Sequence, residues 1–217
     1  RVCALLSAAA AMFNYLIFCF SLSVCCQISC FPGALVWHDS PPSPGSAPAQ
    51  LHDTRCDAMS KKLQYGWLGL GTMGASMAKH LHKHSIAKGG PPALVWNRTT
   101  SKASSHAEAH GTIAVEAAEE VASKCDVLFT MLPTSRDVKA LLSTLPVRKG
   151  ALVIDATSGV PETTLEIGAD LAARCGARLV DAPVTGGARG AEAGQCTVMM
   201  GGTAADVAEA EEACGAF

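Results

Sequence analysis

Apolar positions in this chain follow two unlike patterns. From residue 2 to residue 37 they run almost unbroken, with no Asp, Glu, Lys or Arg. From Leu63 onward they fall into short clusters set between polar stretches. Residues 63–68 form a compact apolar run with aromatics that ends in glycines, the form of a buried strand. Met73, Met77, Ala78 and Leu81 then recur at helical spacing, with Lys and His opposite them, and predict a helix over 73–84. Gly89-Gly90-Pro91-Pro92 breaks the chain before a second strand at 93–96. The same reading predicts helices at 101–110, 115–123, 136–142, from Pro161 to about Cys175, and from about Ala204. It predicts further strands at 127–131, Leu152–Asp155, Arg178–Asp181 and Thr197–Met200. Strands alternating with helices imply an α/β domain with a mostly parallel sheet covered on both faces.

The segment Gly69-Leu70-Gly71-Thr72-Met73-Gly74 sits between the first strand and the first helix. In that setting a G-x-G-x-x-G run reads as the dinucleotide loop of a Rossmann-type, doubly wound fold. The first glycine permits a tight turn, the second lets backbone approach a pyrophosphate, and the third lets helix and strand pack closely. The helix start beyond them offers N–H groups and partial positive charge to phosphates. An NAD site usually carries Asp or Glu at the end of the second strand, whereas this chain has Asn97-Arg98-Thr99. Without the acid a 2′-phosphate is not repelled, and Asn97, Arg98 and Thr99 are expected to hold it, Arg98 by charge pairing and Thr99 by a hydroxyl. NADP(H) is therefore expected in preference to NAD(H).

Composition narrows the rest. A net charge of −2 with 17% charged residues gives no field for nucleic acid, and no basic patch with interleaved aromatics is present. The ten cysteines show no zinc-ligand spacing, and no metal is expected. Cys125, Cys175, Cys196 and Cys214 read as reduced thiols and place the domain in the cytoplasm. His80, His82, His84, His106 and His110 lie on helix faces without acids at metal spacing and are expected to be solvated.

Residues 1–58 are expected to be an apolar leader followed by a Pro/Ser-rich linker around Pro41-Pro42-Ser43-Pro44-Gly45-Ser46-Ala47-Pro48, with the Rossmann domain over 59–217. Three readings of that leader stand. It is upstream sequence before a natural start at Met59, or residues 12–31 are a membrane span of about 20 residues, or, ranked last, it is an organelle-targeting peptide. Membrane association follows only from the second.

The stretch from Trp67 through Gly69, Gly71 and Gly74 to Ala78-Lys79-His80-Leu81 resembles the N-terminal signature of the β-hydroxyacid dehydrogenases. That family includes 3-hydroxyisobutyrate dehydrogenase and semialdehyde reductases, with 6-phosphogluconate dehydrogenase as a relative. His80 stands where the family usually has Asn. Three more blocks carry the resemblance. Met131-Leu132-Pro133 resembles the loop along the nicotinamide-side ribose, and Asp155-Ala156-Thr157-Ser158 the D-x-S-T turn whose hydroxyls approach the nicotinamide. Asp181-Ala182-Pro183-Val184-Thr185-Gly186-Gly187 resembles the block that holds a substrate carboxylate, with Thr185 in place of Ser.

The resemblance implies hydride transfer between NADPH and a small carboxylate-bearing aldehyde or keto acid. It places the assisting lysine on a helix beyond Phe217, in an all-helical second domain that also carries most of the oligomer contacts. This chain is accordingly expected to hold no catalytic residue and not to turn over by itself. An imine-reductase-like NADPH enzyme and a non-catalytic NADP-binding module are the alternatives.

Overall fold

A computed structural model describes residues 27–31, 34–38 and 62–217. Ser29–Val36 and Leu51–Phe217 group as one compact unit, and the architecture below is that unit's.

Two short strands come first, β1 (Gln27–Phe31) and β2 (Ala34–His38). The domain then follows as β3 (Tyr65–Leu68), α1 (Gly74–Ala87), β4 (Leu94–Trp96), α2 (Thr100–His110) and β5 (Ile113–Ala114). Next come α3 (Ala118–Lys124), β6 (Val127–Thr130), α4 (Ser135–Leu142), β7 (Leu152–Asp155), α5 (Pro161–Cys175) and β8 (Arg178–Asp181). A final segment adds β9 (Val184–Thr185), α6 (Gly187–Ala193), β10 (Thr197–Met200) and α7 (Ala204–Cys214).

Strands β3 to β8 form one sheet in the order β5-β4-β3-β6-β7-β8, and every pairing is parallel. Strand order reverses between β3 and β6, so the crevice beyond their carboxyl ends is the switch point where such sheets bind ligands. Alternation along each strand divides the core. Trp67, Phe129 and Ile154 face α1, α2 and α7, while Leu68, Leu128 and Val153 face α3, α4 and α5. Trp67 stacks on Phe129 with ring centroids 5.0 Å apart, and Phe217 meets both edge-on. Gly66 lets α3 sit against β3, since a Cβ there would lie 2.4 Å from Val121 Cγ1.

Helix ends follow local chemistry. Thr134 and Thr203 cap α4 and α7 by accepting from the backbone N–H of Asp137 and Asp206, three residues on. Pro161 opens α5, and left-handed Gly111 and Gly176 close α2 and α5.

Two expectations change and one helix is added. The helix predicted at 115–123 begins only at Ala118, because 113–114 form the two-residue edge strand β5. The glycine-rich stretch after Thr185 contains the helix α6. The membrane span expected over 12–31 is corrected, since Gln27–Phe31, whose polar and apolar residues alternate, is a strand. Among the described residues no helix is long and apolar enough to cross a membrane. The rest of that span, residues 12–26, and the linker around 41–48 lie outside the described residues. β2 runs parallel to β10, with Ala34 opposite Val198.

Candidate functional site

The glycine loop leaves β3 at the switch point. Gly69 has φ +106°, and its N–H donates to Trp96 O at 2.9 Å, which carries the β3–β4 ladder one residue further. A Cβ at Gly69 would lie 2.3 Å from Met131 O, so the position serves a close approach to the β6 exit as well as a turn. A Cβ at Gly74 would meet Gly69 O at 2.1 Å, which fixes the helix-to-loop contact. At Gly71 nothing lies within 4 Å, so that side of the loop is open. No side chain caps α1, leaving its head for an incoming acceptor. Beneath the loop Trp67 Nε1 donates to Gly69 O at 2.9 Å.

The end of β4 is tied to this loop by Asn97. Its Oδ1 accepts from Leu70 N–H at 2.9 Å, and its Nδ2 donates to Thr99 O at 3.1 Å. Both ends of the amide are therefore engaged with backbone, a clamping task that differs from direct phosphate contact. Arg98 is exposed and makes no ion pair among the described residues, and Thr99 heads α2 without capping it.

On the other side of the crevice, Leu132 N–H donates to Thr157 Oγ1 at 3.0 Å. Thr157 N–H and the Thr130 hydroxyl both donate to Asp155 Oδ1, at 3.0 and 2.8 Å. Asp155 is 1% exposed and Thr157 equally buried, whereas Pro133 and Ser158 are exposed. Burial raises the Asp155 carboxyl above its usual range, and the hydrogen bonds from Thr157 and Thr130 oppose that rise. Asp181, its register partner on β8, is raised to about 6 by burial and by the charge of Asp155.

Thr185, Gly186 and Gly187 are exposed where β9 gives way to α6, with φ +124° and +62° at the two glycines. Hydrogen bonds thus tie the glycine loop to the Asn97 turn and Leu132 to Thr157, and Met131 N–H donates to Leu68 O at 2.9 Å between the two pairs. The Thr185 turn joins them through the β7–β8 register and through α6, which docks on α1. His80 takes part in that docking, with Nε2 at 3.0 Å from Glu192 O and its ring against Gly194.

The expected solvation of the histidines holds for His110 and fails for His82 and His106, which are buried. His106 reaches Thr112 Oγ1 and Ala75 O, each at 2.9 Å, and His82 Nδ1 accepts from Ala93 N–H. Burial lowers both pKa values. Sequence reading missed Asp155 as a holding group, although it opens a quoted motif, and it missed Glu192, for which no local pattern exists.

The family profile described as the NAD binding domain of 6-phosphogluconate dehydrogenase matches residues 64–217. This chain belongs to that family. Mitochondrial 3-hydroxyisobutyrate dehydrogenase of Mus musculus is 35% identical over 160 residues, covering 71% of this chain and 46% of that protein. The structure of Mycobacterium tuberculosis 3-hydroxyisobutyrate dehydrogenase with L-serine is 31% identical at a TM-score of 0.64, covering 71% of this chain and 51% of that one. Psf3 in complex with NADP+ and 2-OPP is 27% identical at a TM-score of 0.60, covering 70% and 54%. The chain spans about half the length of these relatives.

The expected family and the Rossmann-type fold are borne out, and the matched profile is that of the dinucleotide-binding domain of a dehydrogenase. The placement in the cytoplasm, with organelle targeting ranked last, is corrected. The mouse protein is mitochondrial, as are its counterparts in Bos taurus, Rattus norvegicus and Homo sapiens. Reduced, buried thiols fit any reducing interior and do not separate cytoplasm from organelle.

Proposed function

We propose that residues 59–217 are the NADP(H)-holding portion of an oxidoreductase that moves a hydride between NADPH and a small carboxylate-bearing aldehyde or keto acid. The observation that carries the cofactor choice is the end of β4, where no acid stands and Arg98 is exposed and unpaired among the described residues. In this reading Gly69, Leu70, Gly71, Thr72, Met73 and Gly74 seat the pyrophosphate on the open side of the loop. Arg98 and Thr99 take the 2′-phosphate, with Asn97 holding their turn against Leu70.

Met131, Leu132 and Pro133 border the nicotinamide-side ribose and exposed Ser158 presents its hydroxyl to the ring, while Thr157, expected to do the same, is buried and instead holds the Leu132 N–H. The nicotinamide, when bound, supplies or accepts the hydride. Thr185, Gly186 and Gly187 take the substrate carboxylate through a hydroxyl and backbone N–H groups. The proton-transferring lysine implied by the resemblance is not assigned to any residue here. A domain start near Met59 is supported by a family match that opens at residue 64, and residues 1–58 are read as leader and linker.

Titration with NADPH and NADH tests the reading. Arg98→Ala removes a charge-assisted contact of about 1.5–3 kcal/mol, so NADPH should weaken by roughly 10–150-fold while NADH is nearly unchanged. Equal weakening of both would overturn the assignment.

A further inference from the structure

Glu192, on α6, binds two helices together from the far side of the glycine loop. Its Oε2 accepts from the Ser76 hydroxyl at 2.7 Å, its Oε1 pairs with Lys79 Nζ at 2.6 Å, and its carbonyl meets His80 Nε2 at 3.0 Å. Ser76, Lys79 and His80 belong to the first two turns of α1, directly after Gly74. The Lys79 side chain is only 12% exposed, and Glu192 is its one anionic partner among the described residues. The Lys79 stem is packed while its ammonium reaches an exposed carboxylate, so removing Glu192 takes away the contact that fixes this end of the side chain. Lys79 and Ser76 together hold the Glu192 carboxyl down at about 2.

α6 has little else to keep it in place. It is seven residues long, and two of them, Gly187 and Gly190, are glycines, so its own helix propensity is poor. Ala191 alone of its residues is buried. The turn it carries, Thr185-Gly186-Gly187, is exposed and built on two positive-φ glycines. The position of that turn therefore depends on how firmly α6 is docked on α1.

We infer that Glu192 is a positioning residue that couples the two sites, so that a dinucleotide seated at the head of α1 steadies the turn that receives the substrate carboxylate. The inference rests on the proposed NADP(H) reading. Ligand phosphates order the first turn of α1, which contains Ser76. The Ser76–Glu192–Lys79 contact carries that order to α6, and a carboxylate arriving second meets a turn already fixed. Coupling of this kind needs no large movement, only the loss of motion in a segment that both ligands require.

Hydrogen exchange on the full chain, with and without NADPH, tests the coupling. In the wild type, NADPH should slow exchange in the glycine loop and first turns of α1, and also slow residues 185–193 by about fivefold or more. Both Glu192→Ala and Glu192→Gln should keep the first effect and lose the second. Glu192→Gln removes only the charge and so guards against a folding defect. A merely structural role would raise exchange of 185–193 without ligand but leave the NADPH-dependent difference intact. Slowing of 185–193 in Glu192→Gln equal to that in the wild type would overturn the coupling, as would its absence in the wild type while the glycine loop is protected. Absence of glycine-loop protection in the wild type would overturn the cofactor reading itself, and the coupling with it.

Discussion

Asn97 and Arg98 are neighbours with opposite duties. The Asn97 amide is engaged on both sides by backbone, while the Arg98 guanidinium is left to solvent. Sequence reading grouped them as one phosphate-binding set, because residue type shows what a side chain can bond and not what the fold has already given it. The distinction is measurable. Asn97→Ala leaves the buried Leu70 N–H without an acceptor, at about 1–3 kcal/mol. Titration of that variant should show NADPH and NADH weakened together, in contrast to the selective loss at Arg98. Asp155 makes the same point, for its motif was legible while its hold on Thr130 and Thr157 needed the β6–β7 register to be seen.

At the level of elements, long periodic segments were readable and short ones were not. Leu152–Asp155, Pro161–Cys175 and Thr197–Met200 stand where the pattern put them, because burial on a fixed face dictates their sequence. β5 and β9 have two residues each, too few for alternation to appear. α6 is rich in glycine and is held by contacts with α1, which no local window contains. The β3–α3 contact turns on Gly66, whose absent side chain also left no signal. A methyl there would sit 2.4 Å from Val121 Cγ1 and 2.6 Å from Cys125 Sγ. Gly66→Ala should therefore destabilise the domain by about 1–3 kcal/mol, with a calorimetric midpoint lower by roughly 2–4 °C per kcal/mol. Dinucleotide affinity of the folded fraction should be unaffected, since the loop itself is untouched.

For the molecule as a whole, two buried sets of groups pull stability in opposite directions with pH. Asp181 is raised from 3.8 to about 6 in the folded state, so the native protein binds the extra proton between those values. Stability from this group is present below about 4 and is lost as pH rises through about 6. His82, His84 and His106 are lowered, mainly by burial, so the unfolded chain binds more protons and stability is lost as pH falls below 6.5. Calorimetry across pH 4–8 should show Asp181→Asn more stable than the wild type at pH 7.5, with the gap closing toward pH 4. A constant gap across that range would mean that Asp181 does not titrate in this window.

The indole of Trp67 donates its N–H to the carbonyl of Gly69 and lies stacked on Phe129, sealed from water directly below the dinucleotide loop. An emitter in that position is a gauge built into the scaffold. Loading of the loop should register as a change in its brightness, and reduced nicotinamide can take up its excitation directly. Trp67→Phe should reduce that optical signal more than Trp96→Phe does, so occupancy of the crevice can be followed by light without a label.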